Sequence, residues 1–335
     1  MLNGLNILVT GGTGSFGKRF IKKAMKKYNP ARVVVFSRDE FKQFEMAKEF
    51  SKNELKKIRF FIGDVRDLGR LNIALKGVDI VVHAAALKHV EACEYNPVEA
   101  IKTNIIGAEN VINSAIHNKV KKVIALSTDK ASNPINLYGA TKLCSDKLFI
   151  AANNLVGKQD TKFSVVRYGN VLGSRGSVIE TFKKLLNENS SFLPITDTRM
   201  TRFWITLDKG VDFVISCFDL MHGGEIYIPK LPSMKIIDLA NALAPKLPLK
   251  TVGIRTGEKL HESMITQDDA KNTIDIGDRF VIMPTSYYAF NELRLEKIYK
   301  KDGKSVADNF SYTSDKNDEW ISPKKLLAMI NEIED

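Results

Sequence analysis

Cysteine is scarce in this chain of 335 residues, with only Cys93, Cys144 and Cys217. Three thiols so widely separated build no disulfide framework and read as free cysteines in a reducing compartment. None of the five histidines stands at metal-ligand spacing from a cysteine or another histidine, so no metal site is expected. No apolar run reaches the ~20 residues of a bilayer-spanning helix, so no membrane insertion is expected. No basic run is interleaved with aromatics in the manner of single-strand binders, which argues against a nucleic-acid partner. The first residues run straight into the strand-like Asn6-Ile7-Leu8-Val9-Thr10 rather than a leader peptide, and the expected location is cytoplasmic.

What is present is ordinary in bulk and informative in order. Hydrophobic residues make up 44% and charged residues 27%, so most of the chain has the means to fold. Lysine and arginine outnumber aspartate and glutamate by 50 to 39, a net charge of +11. Much of that excess sits in stretches such as Lys18-Arg19 and Lys22-Lys23-Ala24-Met25-Lys26-Lys27, which read as solvated helix faces.

Short β-branched runs alternate with helical patterns through the first half. The candidate strands are Ile7–Val9, Arg32–Phe36, Ile58–Ile62, Asp79–Val82, Lys122–Leu126 and Phe163–Val166. Apolar runs without alternation mark strands buried on both faces, hence a parallel sheet covered by helices. Phe16, Phe20, Ile21, Ala24 and Met25 share one face of the first helix, with lysines on the other. The reading is a doubly wound α/β domain over residues 1–170. A smaller, mostly helical substrate domain follows over 171–335, ending in a helix capped by Ser322 with Pro323 at its first position. Part of 205–230, notably Gly224–Pro229, is expected to return to the main sheet.

The first strand leads into Gly11-Gly12-Thr13-Gly14-Ser15-Phe16-Gly17 and a helix. Glycine here permits a tight turn and lets backbone approach a pyrophosphate, which then faces the helix N-terminus. The second strand ends in Ser37-Arg38, with Lys42 a turn further on, where NAD enzymes usually carry a carboxylate. A hydroxyl and two cations suit a 2′-phosphate, so the expected cofactor is NADP. Asp64, followed by Val65, either accepts from the adenine amino group or closes an ordinary strand-end turn. Ala84-Ala85-Ala86 supplies small residues where the chain passes the cofactor.

The fifth strand delivers Ser127-Thr128-Asp129-Lys130, and Tyr138-x-x-x-Lys142 follows on one helix face. An ammonium beside a phenol favours the phenolate, so Tyr138 is expected to titrate nearer neutrality and to serve as a base.

Together the glycine motif, the Asp64 turn, Thr128 and Tyr138-x-x-x-Lys142 resemble the extended short-chain dehydrogenase/reductase superfamily, with its Rossmann-type sheet. Ser127–Ala131, Arg167-Tyr168-Gly169-Asn170-Val171-Leu172-Gly173-Ser174 and Met200-Thr201-Arg202-Phe203-Trp204 resemble its inverting UDP-N-acetylglucosamine 4,6-dehydratases. In bacteria these start pseudaminic acid synthesis, which serves flagellin glycosylation. The resemblance implies that the chain oxidises C4 of UDP-N-acetylglucosamine, eliminates water across C5 and C6, and returns hydride to C6. Lys130 then becomes the C5 base and Asp129 the acid for the departing hydroxyl, the first needing a depressed pKa and the second a proton. The interval from Thr128 to Tyr138 is short for the superfamily and implies a tight active-site loop. The pyrophosphate calls for arginines, here Arg202 and Arg255. By resemblance Asn170, Val178 and Glu258 also line the substrate, and Lys88 reaches cofactor or sugar. His89 reads as structural. The resemblance further implies a homo-oligomer, with a hexamer as the candidate assembly. Two other readings compete: a UDP-sugar 4-epimerase, which needs no C5 base, and a non-catalytic NADP-sensing regulator, which would have no use for the Tyr/Lys pair.

Overall fold

The computed structural model describes residues 1–173, 177–284 and 292–334; Ser174, the last residue of the Arg167 motif, lies outside them. Six strands form the parallel core of the sheet: β1 (Asn6–Thr10), β2 (Arg32–Ser37), β3 (Ile58–Ile62), β4 (Ile80–His83), β5 (Lys122–Thr128) and β6 (Lys162–Tyr168). They lie in the order β3-β2-β1-β4-β5-β6, and every pairing among them is parallel. Strand order reverses between β1 and β4, and the crevice beyond the carboxyl ends of those strands is where such sheets take ligands.

The unbroken apolar runs are buried as their composition requires. Ile7, Leu8 and Val9 are fully covered, as are Val33 and Val35 beside them. Phe20, Ile21 and Ala24 of the first helix, Ser15–Lys27, pack into the same core, while Lys18 and Lys22 pair with Glu49 outside it.

Ile226–Pro229 returns to lie parallel to β6. Three further strands, Arg279–Ile282, Thr273–Asp275 and Lys304–Ser305, extend that edge in antiparallel fashion, so the sheet itself does not stop at residue 170. The rest of the later chain builds a second core, in which Leu172, Phe182, Trp204, Met234, Leu239 and Leu326 meet. Helices Val178–Asn187, Ile236–Leu243 and Pro323–Glu334 frame it, together with short strands including Thr201–Thr206. Ser322 caps the last helix through Lys325 N, as its sequence implies. Among the described residues no helix is long and apolar enough to cross a membrane.

Candidate active site

The glycine loop leaves β1 and enters the first helix with Gly14 at its cap, where no side chain hydrogen-bonds the opening N–H groups. Those donors, with the positive end of the helix dipole, are what a pyrophosphate needs. A methyl group on Gly17 would stand 2.6 Å from Gly11 O and from Gly12 Cα, so only glycine lets helix and turn close so tightly. Thr10 Oγ1 accepts from Ala84 N and Ala85 N and meets His83 Nδ1 at 2.8 Å, pinning the end of β4 beside the loop. Burial and the charge of Lys142 push His83 down to about 3, so it stays neutral. The cradle formed by Gly11, Thr13, Gly14, Ser15, Phe16 and Gly17 fits a dinucleotide.

At the end of β2 the Ser37 hydroxyl is buried and accepts from Gln43 Nε2 at 2.9 Å. Arg38 is exposed and only loosely paired, 3.7 Å from Asp64 Oδ2. Lys42 pairs with Asp39, which caps the helix Glu40–Ala47. Asp64 is held by Arg66, which donates from its backbone N and its guanidinium at 2.7–3.0 Å. Burial raises the Asp64 carboxyl, but the hydrogen bonds from Arg66 more than reverse this and keep it ionised. Asp64 thus takes part in the strand-end turn, and Val65 beside it is buried under Gly107.

β5 ends at Thr128 and turns at once through the short helical turn Asp129–Ala131. The Thr128 hydroxyl accepts from Lys130 N at 3.3 Å and donates to Asp129 Oδ1 at 3.0 Å. The helix Leu137–Ala151 starts at Asn136, whose side chain accepts from Gly139 N at 2.7 Å. A methyl group on Gly139 would lie 2.2 Å from Lys130 O. Glycine therefore lets the helix seat directly on the turn, which is how the short Thr128–Tyr138 interval is accommodated.

This packing sets Tyr138 among Thr128, Asp129 and Lys130, with Lys142 one helical turn below it. Burial pushes the Tyr138 phenol up to about 12, with the Lys130 ammonium and Thr128 hydroxyl pulling the other way. The expected drop toward neutrality is therefore not found in this structure, because burial outweighs the nearby charge. Burial also lowers the Lys142 ammonium, which Asp146 one turn further on partly restores. Asp146 accepts from Ser127 Oγ at 2.8 Å and from Arg167 Nη2 at 3.3 Å, locking β5, β6 and the helix together.

Lys130 reaches between two buried carboxylates, 3.1 Å from Asp129 Oδ1 and 3.0 Å from Glu262 Oε1. Burial lowers its ammonium, but those two charges reverse the effect and hold it above the ordinary lysine range. The depressed pKa expected of a C5 base is not found in this structure, because the two carboxylates outweigh burial. Asp129 fits its expected role better, since burial raises its carboxyl and Glu262 adds to the rise.

On the substrate side the arginines differ. Arg202 is buried and donates inward, to Thr201 O at 2.7 Å, Leu260 O at 3.1 Å and Lys259 O at 2.9 Å. Its fork already serves these three carbonyls, so any phosphate there would have to share it. Arg255 is exposed, 3.7 Å from Glu91 in a surface pair, and its donors are accessible. Glu258 Oε2 and Asn170 Oδ1 are buried oxygens without a hydrogen-bond partner, as acceptors awaiting a donor would be. Val178 opens its helix at the edge of the second core. Partial desolvation lowers the Lys88 ammonium, and Glu180 on that same helix counters it.

Two residues escaped the sequence reading. Asn104, in a π-helical turn, holds Leu87 through both its side-chain atoms and donates to Thr141 Oγ1 at 3.0 Å, joining the Lys88 loop to the helix Leu137–Ala151. Glu262, beside Lys130, sits in Gly257-Glu258-Lys259-Leu260-His261-Glu262, and that dense charge pattern around Glu258 was its one signal.

The profile of the polysaccharide biosynthesis protein family matches residues 7–284. An inverting UDP-N-acetylglucosamine 4,6-dehydratase from Campylobacter jejuni is 58% identical, over 100% of this chain and 99% of that protein. A UDP-glucose 4-epimerase from Rickettsia bellii is 42% identical, covering 92% and 90%. Among solved structures, Pen from Bacillus thuringiensis superposes with a TM-score of 0.88 at 35% identity over 99% of both chains. A match running from β1 past the last long strand of the sheet, with likeness to these relatives at full length, leaves one conclusion: the chain belongs to the polysaccharide biosynthesis protein family.

Proposed function

We propose that this protein is a C5-inverting UDP-N-acetylglucosamine 4,6-dehydratase that uses NADP and releases a UDP-4-keto-6-deoxy-N-acetylhexosamine. The observation that carries the reading is the Asp129–Lys130 pair at the end of β5 beside Tyr138, its carboxylate buried and its ammonium partly exposed. Inversion at C4 alone has no work for such a pair, whereas elimination across C5 and C6 needs both a base and an acid. The full-length similarity to the Campylobacter enzyme supports it, and the epimerase relatives are less similar.

The glycine loop, residues 11–17, would hold a nicotinamide cofactor, which would supply the hydride acceptor for C4 and the hydride that C6 later receives, C5 then taking a proton from an exchanging group. Tyr138 takes the proton of the C4 hydroxyl. The 4-ketone so formed makes C5–H acidic. A single proton passed along the 3.1 Å contact from Lys130 Nζ to Asp129 Oδ1 then creates the amine and the neutral acid together. Lys130 takes the C5 proton, Asp129 gives its proton to the leaving C6 hydroxyl, and water departs. The raised Lys130 is compatible with this chemistry because the pair, and not either residue alone, carries the titration. Arg255, Glu258, Asn170 and Lys88 are the proposed contacts to the nucleotide sugar, and the region beyond residue 170 is the proposed substrate domain. The protein is proposed to act as a cytoplasmic homo-oligomer at the start of pseudaminic acid synthesis.

Incubation with UDP-N-acetylglucosamine and no added reductant, followed by NMR, tests the reaction. A 6-deoxy-4-keto sugar is expected; a product that keeps its 6-hydroxyl and differs only at C4 overturns the reading in favour of the epimerase. Cofactor choice is tested separately. Arg38→Ala removes the exposed guanidinium at the end of β2 and is expected to weaken NADP binding about 5–150-fold, the loss of one or two charge-assisted contacts of roughly 1–3 kcal/mol in all. NAD binding should hold nearly constant in the same titration. Equal affinity of the wild type for both cofactors would refute NADP as the preferred one.

A further inference from the structure

The elimination chemistry proposed above leaves one buried charge unexplained. Glu262 is 1% exposed, lies far along the chain from the catalytic turn, and yet its Oε1 is 3.0 Å from Lys130 Nζ. Burying a carboxylate is costly unless it is paired, so a fold that places one here needs a reason in the site. We propose that Glu262 is a positioning residue for elimination: its carboxylate holds Lys130 against Asp129 and fixes the number of protons that the three groups share.

Three charges enclosed together cannot titrate independently. Lys130 is flanked on one side by Asp129 from its own turn and on the other by Glu262 from the segment that precedes the strand Ser263–Ile265. Arg202 approaches Glu262 from the strand Thr201–Thr206, with Nε 3.7 Å from the same Oε1. Lys259 adds positive charge from the loop, and Tyr138 closes the cluster from the helix Leu137–Ala151. Glu258 pairs with Arg202 on its far side, at 3.4 Å. Asp129 Oδ2 and Glu262 Oε2 are both buried without a hydrogen-bond partner, so neither carboxylate is fully satisfied by the fold. Burial raises Glu262, but Lys130 and Arg202 together more than reverse this, so it keeps its negative charge. That charge favours the ammonium on Lys130 and disfavours a second carboxylate at Asp129. The state with one proton shared between Lys130 and Asp129, the state that the elimination draws on, is thereby held over a window of pH.

The sign of the test follows. Glu262→Gln removes the negative charge at constant shape. Lys130 loses a stabilising partner and releases its proton at lower pH; Asp129 loses a repelling neighbour and does the same. Both limbs of the pH–rate bell for product formation are expected to move toward acid by at least about one pH unit, with a lower maximum. Oxidation at C4, followed by reduced-nicotinamide absorbance in a single turnover, should change less than about 10-fold, well within what one general base contributes. Glu262→Asp keeps the charge but draws it back from Lys130, and its bell should move the same way by a smaller amount. A bell that stays in place in both variants while its height falls shows a purely structural role and overturns the inference. Should Glu262→Gln fail to fold, as judged by thermal melting, the Glu262→Asp profile alone decides: moved toward acid, it supports the proposal; unmoved, it refutes it. The inference rests on the dehydratase reading, and the two fail differently. A wild-type product that keeps its 6-hydroxyl removes the reaction itself, whereas a 6-deoxy product with an unmoved bell removes only the role given to Glu262.

Discussion

Tyr138→Phe is expected to slow oxidation at C4 by about 10²–10⁴-fold, the usual contribution of a positioned general base. The phenyl ring fills the same space between Thr128 and Lys130 but has no oxygen to take the hydroxyl proton. Binding of the nicotinamide cofactor, measured by titration, should survive, because the glycine cradle lies on a different element of the fold. The phenol is pushed up to about 12 by burial, so wild-type oxidation should speed up as pH rises through the neutral range and beyond. Below its pKa a base gains active fraction with every step in pH, and the variant, having lost the group, should lose that slope as well. Turnover of Tyr138→Phe at the wild-type rate would place the chemistry elsewhere.

A second large effect is expected at Lys130. Lys130→Met keeps much of the aliphatic stem and removes the amine, so the 4-ketone should still form while C5 keeps its proton. In a single turnover the variant should build up reduced nicotinamide and release 6-deoxy product about 10²–10⁴-fold more slowly than the wild type. Turnover of the wild type in D₂O should place solvent deuterium at C5, since that carbon is reprotonated from an exchanging group. The new hydrogen at C6 should come from the substrate's own C4. A Lys130→Met protein that makes 6-deoxy sugar at the wild-type rate would show that another group removes the C5 proton.

Much of the fold that positions this candidate site was legible in the sequence, and the part that was not has a common physical cause. Strands β1–β6 were readable because burial on both faces demands unbroken apolar runs such as Val33-Val34-Val35-Phe36. The glycine loop and Tyr138-x-x-x-Lys142 were readable because each packs its chemistry into a few consecutive residues. Glu262 was not, since nothing local in Leu260-His261-Glu262 says that its carboxylate ends 3.0 Å from an ammonium at residue 130. The inward contacts of Arg202 were hidden for the same reason. An arginine looks alike in sequence whether its fork faces a phosphate or the carbonyls of residues 259 and 260. The ionisation of Lys130 and Tyr138 also lay beyond local reading, because it depends on how many charges the fold gathers and how deeply it buries them.

Asn136 Nδ2 donates to Gly257 O at 2.7 Å, and Lys259 Nζ donates to Ser132 O at 2.6 Å. Two hydrogen bonds thus tie the segment 132–136 to a loop more than a hundred residues away. For anyone exchanging segments between relatives, these two form one cassette. A graft of the loop 253–262 alone could remove the Lys259 partner of Ser132 O and shift the carbonyl that steadies Asn136. Exchanged together with 128–139, the same loop carries its own supports with it.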